Sequence, residues 1–284
     1  MDAGPRIGVA GRDIMRRPPS YEQIAEITAH SEAGMGEQET ESANTFAVIG
    51  RGKMGNALSA AMRRAGLAVR GPLGRNEEIA TASVVILCVP DAQIAIAARA
   101  VPSDRVVAHC SGVATLAPLA PHEAFSLHPL LTVTNATAEF AGVGCAVDAN
   151  SGRAKAACDT LVQALGMRSF HVADELRPLY HAAASVASNY VITVAAFGEE
   201  LIRRAGVPRE HLVPLVRAAT DNWARSGGDA LTGPIQRGDE ATVARQRDAV
   251  ATNAPESLAL WDALAEGTRS LARGLSSASP GARV

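Results

Sequence analysis

The stretch TFAVIGRGKMGNALSAAMRRAG, Thr45 to Gly66, constrains the fold more tightly than any other part of the chain. Phe46, Ala47, Val48 and Ile49 form a short apolar run suited to a buried strand. Gly50, Gly52 and Gly55 then spell G-x-G-x-x-G, and Ala57 to Ala65 is a helix-forming run that Gly66 is suited to end. Strand, glycine turn and helix in that order are the parts of a dinucleotide site. The first glycine permits the tight turn, the second lets the backbone approach a pyrophosphate, and the third lets helix and strand pack closely. Lys53 and Met54 lie within the turn, among the residues expected to touch the dinucleotide. A glycine pattern of this kind also occurs as a plain tight turn, and it is the flanking strand and helix that favour the dinucleotide reading.

A second strand is expected over about residues 67–75. Sites that prefer NAD place an acid about 20 residues past the glycine turn, on the ribose 2′-hydroxyl. No acid occurs between Gly55 and Asn76; Arg70 and Arg75 do, and Arg75 stands where the acid would be. An arginine there suits a 2′-phosphate and points to NADP(H); two arginines facing solvent are the plainer alternative. Ser83 to Val89 is a continuous apolar run, the mark of a strand buried on both faces of a parallel sheet. A short helix over Gln93–Val101 and a strand over Arg105–Cys110 follow. Ligands of open α/β sheets sit outside the carboxyl ends of the strands, so Val89 and Pro90, and then His109 and Ser111, are expected beside the cofactor. Further strands are read at 125–130, 144–147 and 169–172, with a helix over Ser151–Leu165.

From residue 173 the pattern changes to helices over 175–205, 211–224, 239–253 and 255–271. The fold class expected is α/β, a Rossmann-type doubly wound parallel sheet followed by an all-α C-terminal domain. The boundaries are a flexible N-terminal extension at 1–44 with a brief helix over Tyr21–Thr28, an NADP-binding domain at 45–172, a helical domain at 173–275 and a disordered tail at 276–284. A formal net charge of −2 in 284 residues gives no basic footprint for nucleic acid. Ala182 to Gly198 is apolar but carries Ser185, Ser188, Asn189 and Thr193, so a buried core helix is expected rather than a membrane span. No apolar stretch of seven or more occurs in the first thirty residues, where a signal peptide would lie. The four cysteines form no C-x-x-C and read as small buried hydrophobes in a reducing cytosol, not as disulfides or a zinc site. His109, His122 and His128 match no zinc spacing, and no metal is expected.

VIGRGKMGNAL, HCSG (109–112), FSLHPL (125–130), YHAAASVASNY (180–190) and LTGPIQRGD (231–239) resemble the family that joins a Rossmann-like domain to a domain of unknown function, DUF2520. The resemblance runs from about residue 45 to 265. It implies kinship with 6-phosphogluconate dehydrogenase, pyrroline-carboxylate reductase and ketopantoate reductase, in which a helical domain follows the Rossmann domain and commonly dimerises. Cytoplasmic location and a homodimer formed through the helical half are the corresponding expectations. The relevant helix of that wider group often carries Lys and Asn at i, i+4 over the nicotinamide; His181 stands near the first position here and Ser185 near the second.

Reduction of a carbonyl by NADPH needs a placed hydride donor, an acid for the developing alkoxide and groups to hold the substrate. His181, Ser185 and Asn189 are spaced i, i+4, i+8 and lie within about 80° of one another on one helix face. They are the catalytic residues expected, with His181 as the acid; a set of core hydrogen bonds between helices is the alternative. His109 and His128 follow strand ends and are expected at the substrate, although His128 before Pro129 also suits a structural turn. Thr232 and Arg237 are the other expected substrate contacts, the arginine fork suiting a carboxylate, against an Arg237–Asp239 surface pair. The function read from these residues is NADPH-dependent reduction of a small 2-keto acid, ketopantoate foremost. The alternatives are an imine reductase of the pyrroline-5-carboxylate type and a non-catalytic NADP(H)-binding sensor.

Overall fold

The protein is described by a computed structural model that covers residues 44–277 except Asn76 and Ala80, with backbone alone at 276 and 277. The expected helix over Tyr21–Thr28, the extension up to residue 43 and the tail beyond 277 lie outside the described residues. Seven strands form one sheet among those described: β1 (Phe46–Ile49), β2 (Val69–Leu73), β3 (Val84–Leu87), β4 (Val106–His109), β5 (Ala124–Pro129), β6 (Gly144–Ala149) and β7 (Arg168–Phe170). Their order is β2-β1-β3-β4-β5-β6-β7, parallel throughout except for the antiparallel β5–β6 pair.

Burial explains the strand composition. All four residues of β3 are buried; Val84 and Ile86 pack into one core cluster, Val85 and Leu87 into the other. A strand covered on both faces has no polar alternation to show, which is why its sequence is continuously apolar. Helices α1 (Lys53–Arg64) and α3 (Gly152–Ala164) cover the first face, and α2 (Ile94–Arg99) the second. Ser151 caps α3 by accepting from the Ala154 N–H at 3.1 Å. Pro72 is tolerated in β2 because that strand is an edge. The doubly wound sheet is therefore as expected, and α1 begins earlier than expected, at Lys53, because Gly55 packs as a helical residue.

The segment expected as one helix over 175–205 is divided. A 3₁₀ turn at Asp174–Leu176 leads into α4 (Arg177–Ser185), a π-helical segment spans Val186–Tyr190, and α5 (Val191–Arg204) follows. Then come α6 (Val213–Ser226), α7 (Glu240–Asn253), capped by Asp239, and α8 (Leu258–Ser277). The expectation of a buried core helix at 182–198 is corrected: Val186, Tyr190, Val191, Ile192 and Val194 are all exposed in the single chain. No described helix is long and apolar enough to cross a membrane.

One buried charge docks this helix on the sheet. Arg177, 1% exposed, sits in the first turn of α4. It donates from Nη1 to the Ala114 carbonyl (3.1 Å), from Nη2 to Ser126 Oγ (3.0 Å) and from Nε to Asp174 Oδ1 (3.1 Å), and Asp148 on β6 lies 3.8 Å away.

Candidate active site

The site forms where the strand order reverses. β1 and β3 are neighbours, and the chain leaves them in opposite directions across the sheet, which opens a crevice at their carboxyl ends. The glycine turn lies at that point. A Cβ on Gly50 would stand 2.1 Å from the Cys88 carbonyl oxygen, and one on Gly55 would stand 1.8 Å from the Gly50 oxygen. Gly50 also adopts φ 117°, which side chains disfavour. A Cβ on Gly52 would meet nothing within 4 Å. The outer glycines are thus demanded by the fold itself, whereas the middle one faces open space where a ligand backbone can approach. Asn56 Nδ2 donates to the Arg51 and Gly52 carbonyls (2.8 and 2.9 Å), fixing the turn. The first turn of α1, with Lys53 and Met54, contains no acidic residue, so nothing there repels a phosphate.

A cavity of about 680 Å³ extends from this turn and is lined in part by Gly50, Arg75, Val89 and Pro90. It also contains two residues that sequence reasoning missed, Arg51 and Glu77, which form an ion pair with each other. Glu77 lies just past the window in which an acid was sought. Arg75 has no ion-pair partner among the described residues.

A second cavity, of about 480 Å³, is lined by His128, Tyr180, His181, Ser185 and Asn189 among others. β5 delivers His128 and α4 delivers Tyr180 and His181. Their rings meet: His128 and His181 centroids are 5.9 Å apart, and His128 Nδ1 is 2.7 Å from the Tyr180 hydroxyl. Gly112 is the reason they can. A Cβ there would stand 2.6 Å from His181 Cδ2 and 2.8 Å from His128 Cε1 and Nε2. Tyr180 was not singled out from the sequence, its signal being its place in the YHAAASVASNY block, and Gly112 was expected beside the cofactor only as the end of the stretch from His109.

Burial, then the neighbouring His181 and Arg177 charges, lower the His128 pKa to about 4, so the ring is neutral near pH 7. Burial pushes Tyr180 up to about 12, so its hydroxyl keeps its proton while it shares a hydrogen bond with His128 Nδ1.

Three expectations are corrected. His109 is fully buried: its Nε2 donates to the Thr115 carbonyl (2.9 Å) and its Nδ1 accepts from the Ser111 N–H (3.2 Å). Both nitrogens are consumed in building the loop after β4, so it is no substrate contact, and burial lowers its pKa. Ser111, expected at the cofactor, turns its hydroxyl oxygen onto the Val113 and Ala114 N–H groups of the same loop. Thr232 and Arg237 are exposed and line neither cavity, because their loop closes on itself through bonds such as Asp239 N–H to the Pro234 carbonyl (2.9 Å). His181, Ser185 and Asn189 do share a cavity, although the π segment changes the spacing between the last two. Among the described residues no group of three His, Cys, Asp or Glu side chains is placed to hold a metal.

The family model described as Domain of unknown function (DUF2520) matches residues 143–268. That stretch is similar to the DUF2520 family. It begins just before β6, within the sheet, and carries Arg177, Tyr180 and His181, while Gly112, His128 and the glycine turn precede it. Among curated proteins none matches the chain. Among solved structures, a candidate NADP oxidoreductase from Bacteroides fragilis is 18% identical, with a TM-score of 0.69 over 80% of this chain and 98% of that one. A Thermotoga maritima protein is 20% identical, with a TM-score of 0.65 over 82% and 100%. Plasmodium falciparum pyrroline carboxylate reductase, with NADP bound, is 14% identical, with a TM-score of 0.52 over 81% and 98%. At these identities the likeness is one of fold.

The depressed His128 pKa makes stability depend on pH. The unfolded chain protonates this imidazole below about pH 6.5, whereas the folded site refuses the proton until about pH 4. Its contribution is therefore complete above pH 6.5 and declines as the pH falls toward 4. Urea unfolding at pH 7.5 and pH 5 should show wild type losing about 1–2 kcal/mol more than His128→Gln between the two. Equal losses would contradict the assignment.

Proposed function

We propose that the chain is an NADP(H)-dependent oxidoreductase that reduces the carbonyl of a small 2-keto acid, ketopantoate being the leading candidate. The observation that carries this reading is the His128–Tyr180–His181 cluster, packed on Gly112 at the carboxyl ends of the same sheet that presents the glycine turn. The turn amides and the start of α1 would hold a pyrophosphate, and Arg75 a 2′-phosphate. The pairing of Glu77 with Arg51 supports NADP(H) over NAD(H), because it occupies the acid that would otherwise take a ribose hydroxyl. The Bacteroides NADP oxidoreductase candidate and the NADP-bound Plasmodium reductase point to the same cofactor.

A bound nicotinamide supplies hydride. The chain's own residues do the rest. His181 donates the proton that the developing alkoxide requires. His128, held neutral and oriented by Tyr180, offers its Nε2 as a fixed hydrogen-bonding group in the same cavity. Ser185 and Asn189 orient the substrate without supplying protons. Reduction of a cyclic imine is a second reading, supported by the substrate in the name of the Plasmodium reductase; the same acid would serve the nitrogen.

A homodimer through the helical half belongs to this proposal. Leu179 and Ile192 are 69% and 70% exposed, and Val186, Tyr190 and Val194 of the same helical stretch are exposed too. Several large apolar side chains left exposed on one helical stretch suit an interaction surface. Light scattering at micromolar concentration is expected to give a dimeric mass; a monomer would contradict it.

NADPH oxidation against a panel of 2-keto acids, including ketopantoate, and cyclic imines tests the activity. His181→Ala should keep NADPH affinity and lose turnover by roughly 10²–10⁴. A folded, NADPH-binding variant with wild-type turnover removes His181 from the mechanism. NADPH binding with no turnover on any compound would favour the sensor.

A further inference from the structure

Two of the four cysteines differ from the others in placement. Cys145 and Cys158 are buried, and burial pushes both thiols up. Cys88 and Cys110 are partly exposed and lie at the carboxyl ends of β3 and β4. The β3–β4 register ends on Leu87 opposite His109, so the next residues, Cys88 and Cys110, face each other across the sheet. Both pack against the same core cluster, and their sulfurs are 3.7 Å apart.

We propose that Cys88 and Cys110 form a redox-modification site, a dithiol that a peroxide converts to a disulfide beneath the dinucleotide turn. Adjacent parallel strands run about 4.8 Å apart, within the span of roughly 4.4–6.8 Å that a disulfide bridges between Cα atoms. The sulfurs need to close only from 3.7 Å to about 2.05 Å. The bond to Cys88 and burial hold the Cys110 thiol up, and the Cys88 thiolate is the attacking sulfur in the proposed oxidation. That thiolate attacks one peroxide oxygen. The O–O bond breaks, the departing oxygen leaves as water, and Cys88 becomes a sulfenic acid. The Cys110 sulfur then attacks the Cys88 sulfur, the S–O bond breaks and a second water leaves. Two thiols lose two electrons and two protons, and one hydrogen peroxide becomes two waters.

The bridge would be felt by the site. The Cys88 carbonyl oxygen abuts Gly50, and Cys88 Cβ would be 3.4 Å from a Cβ on Gly55. Val89 and Pro90, which follow it, line the dinucleotide cavity, and Gly112, two residues past Cys110, supports both imidazoles. Pulling Cys88 toward β4 displaces the floor of the turn, so the oxidised form should bind NADPH more weakly. That consequence, unlike the disulfide itself, rests on the proposed function.

The test treats the full chain with hydrogen peroxide, then with dithiothreitol, beside Cys88→Ser and Cys110→Ser. Intact mass and peptide mapping without reduction report the bond; NADPH titration reports its effect. The result expected is loss of two hydrogens, a peptide linking Cys88 to Cys110, and NADPH binding weakened by at least about fivefold and restored by dithiothreitol. Neither serine variant should form the link or lose affinity reversibly. Oxidation that stops at Cys88 sulfinic acid, a link through Cys145 or Cys158, or no reaction overturns the site. A mapped link with unchanged NADPH affinity overturns the coupling. A mapped link in a protein that never bound NADPH upholds the site and fails the proposed function instead.

Discussion

The guanidinium of Arg177 is the point on which the site's geometry rests. It is a buried charge, and taking it from water costs several kcal/mol, offset only by well-placed partners. Those partners come from three places: the loop after β4 (Ala114), β5 (Ser126) and the turn leading into α4 (Asp174), with Asp148 of β6 nearby. The first turn of α4 is thereby fixed on the sheet. Tyr180 and His181 follow Arg177 at i+3 and i+4, on the same helix face, so the position of Arg177 sets where their rings stand relative to His128. Losing one side of such an arrangement leaves buried polar groups unpaired, typically at a cost of about 3–5 kcal/mol.

The parts of the fold that follow from backbone necessity were legible in the sequence. The glycine turn was readable because Gly50 and Gly55 have no room for a Cβ, and β3 because a strand buried on both faces must be apolar throughout. The candidate site was legible only in outline. His181, Ser185 and Asn189 share a cavity as expected, but the burial of Arg177 carries no local mark, since two of its partners, Ala114 and Ser126, lie far along the chain. His109 looked like His128 in sequence; what separates them is that a loop of its own consumes both nitrogens of the first. The π segment at Val186–Tyr190 was hidden because its residues suit an α-helix equally well, and π turns of this kind often accompany functional sites. Arg237 pointed to a carboxylate by its chemistry, but its loop folds back on itself in the single chain.

Opposite protonation tendencies meet at the centre of the cavity. Burial keeps His128 neutral and Tyr180 protonated, so these two form a hydrogen-bonded pair of uncharged groups. His181 completes the cluster from the same helix as Tyr180.

The central claim is that the glycine turn and the Arg75 cavity form one NADP(H) site beside the histidine cluster. Calorimetric titration of the wild-type chain with NADPH and with NADH tests it most directly. The account predicts NADPH to bind tighter by about tenfold or more, as a charge-assisted contact between Arg75 and the 2′-phosphate should give. No dinucleotide binding, or equal affinity for the two, would contradict it.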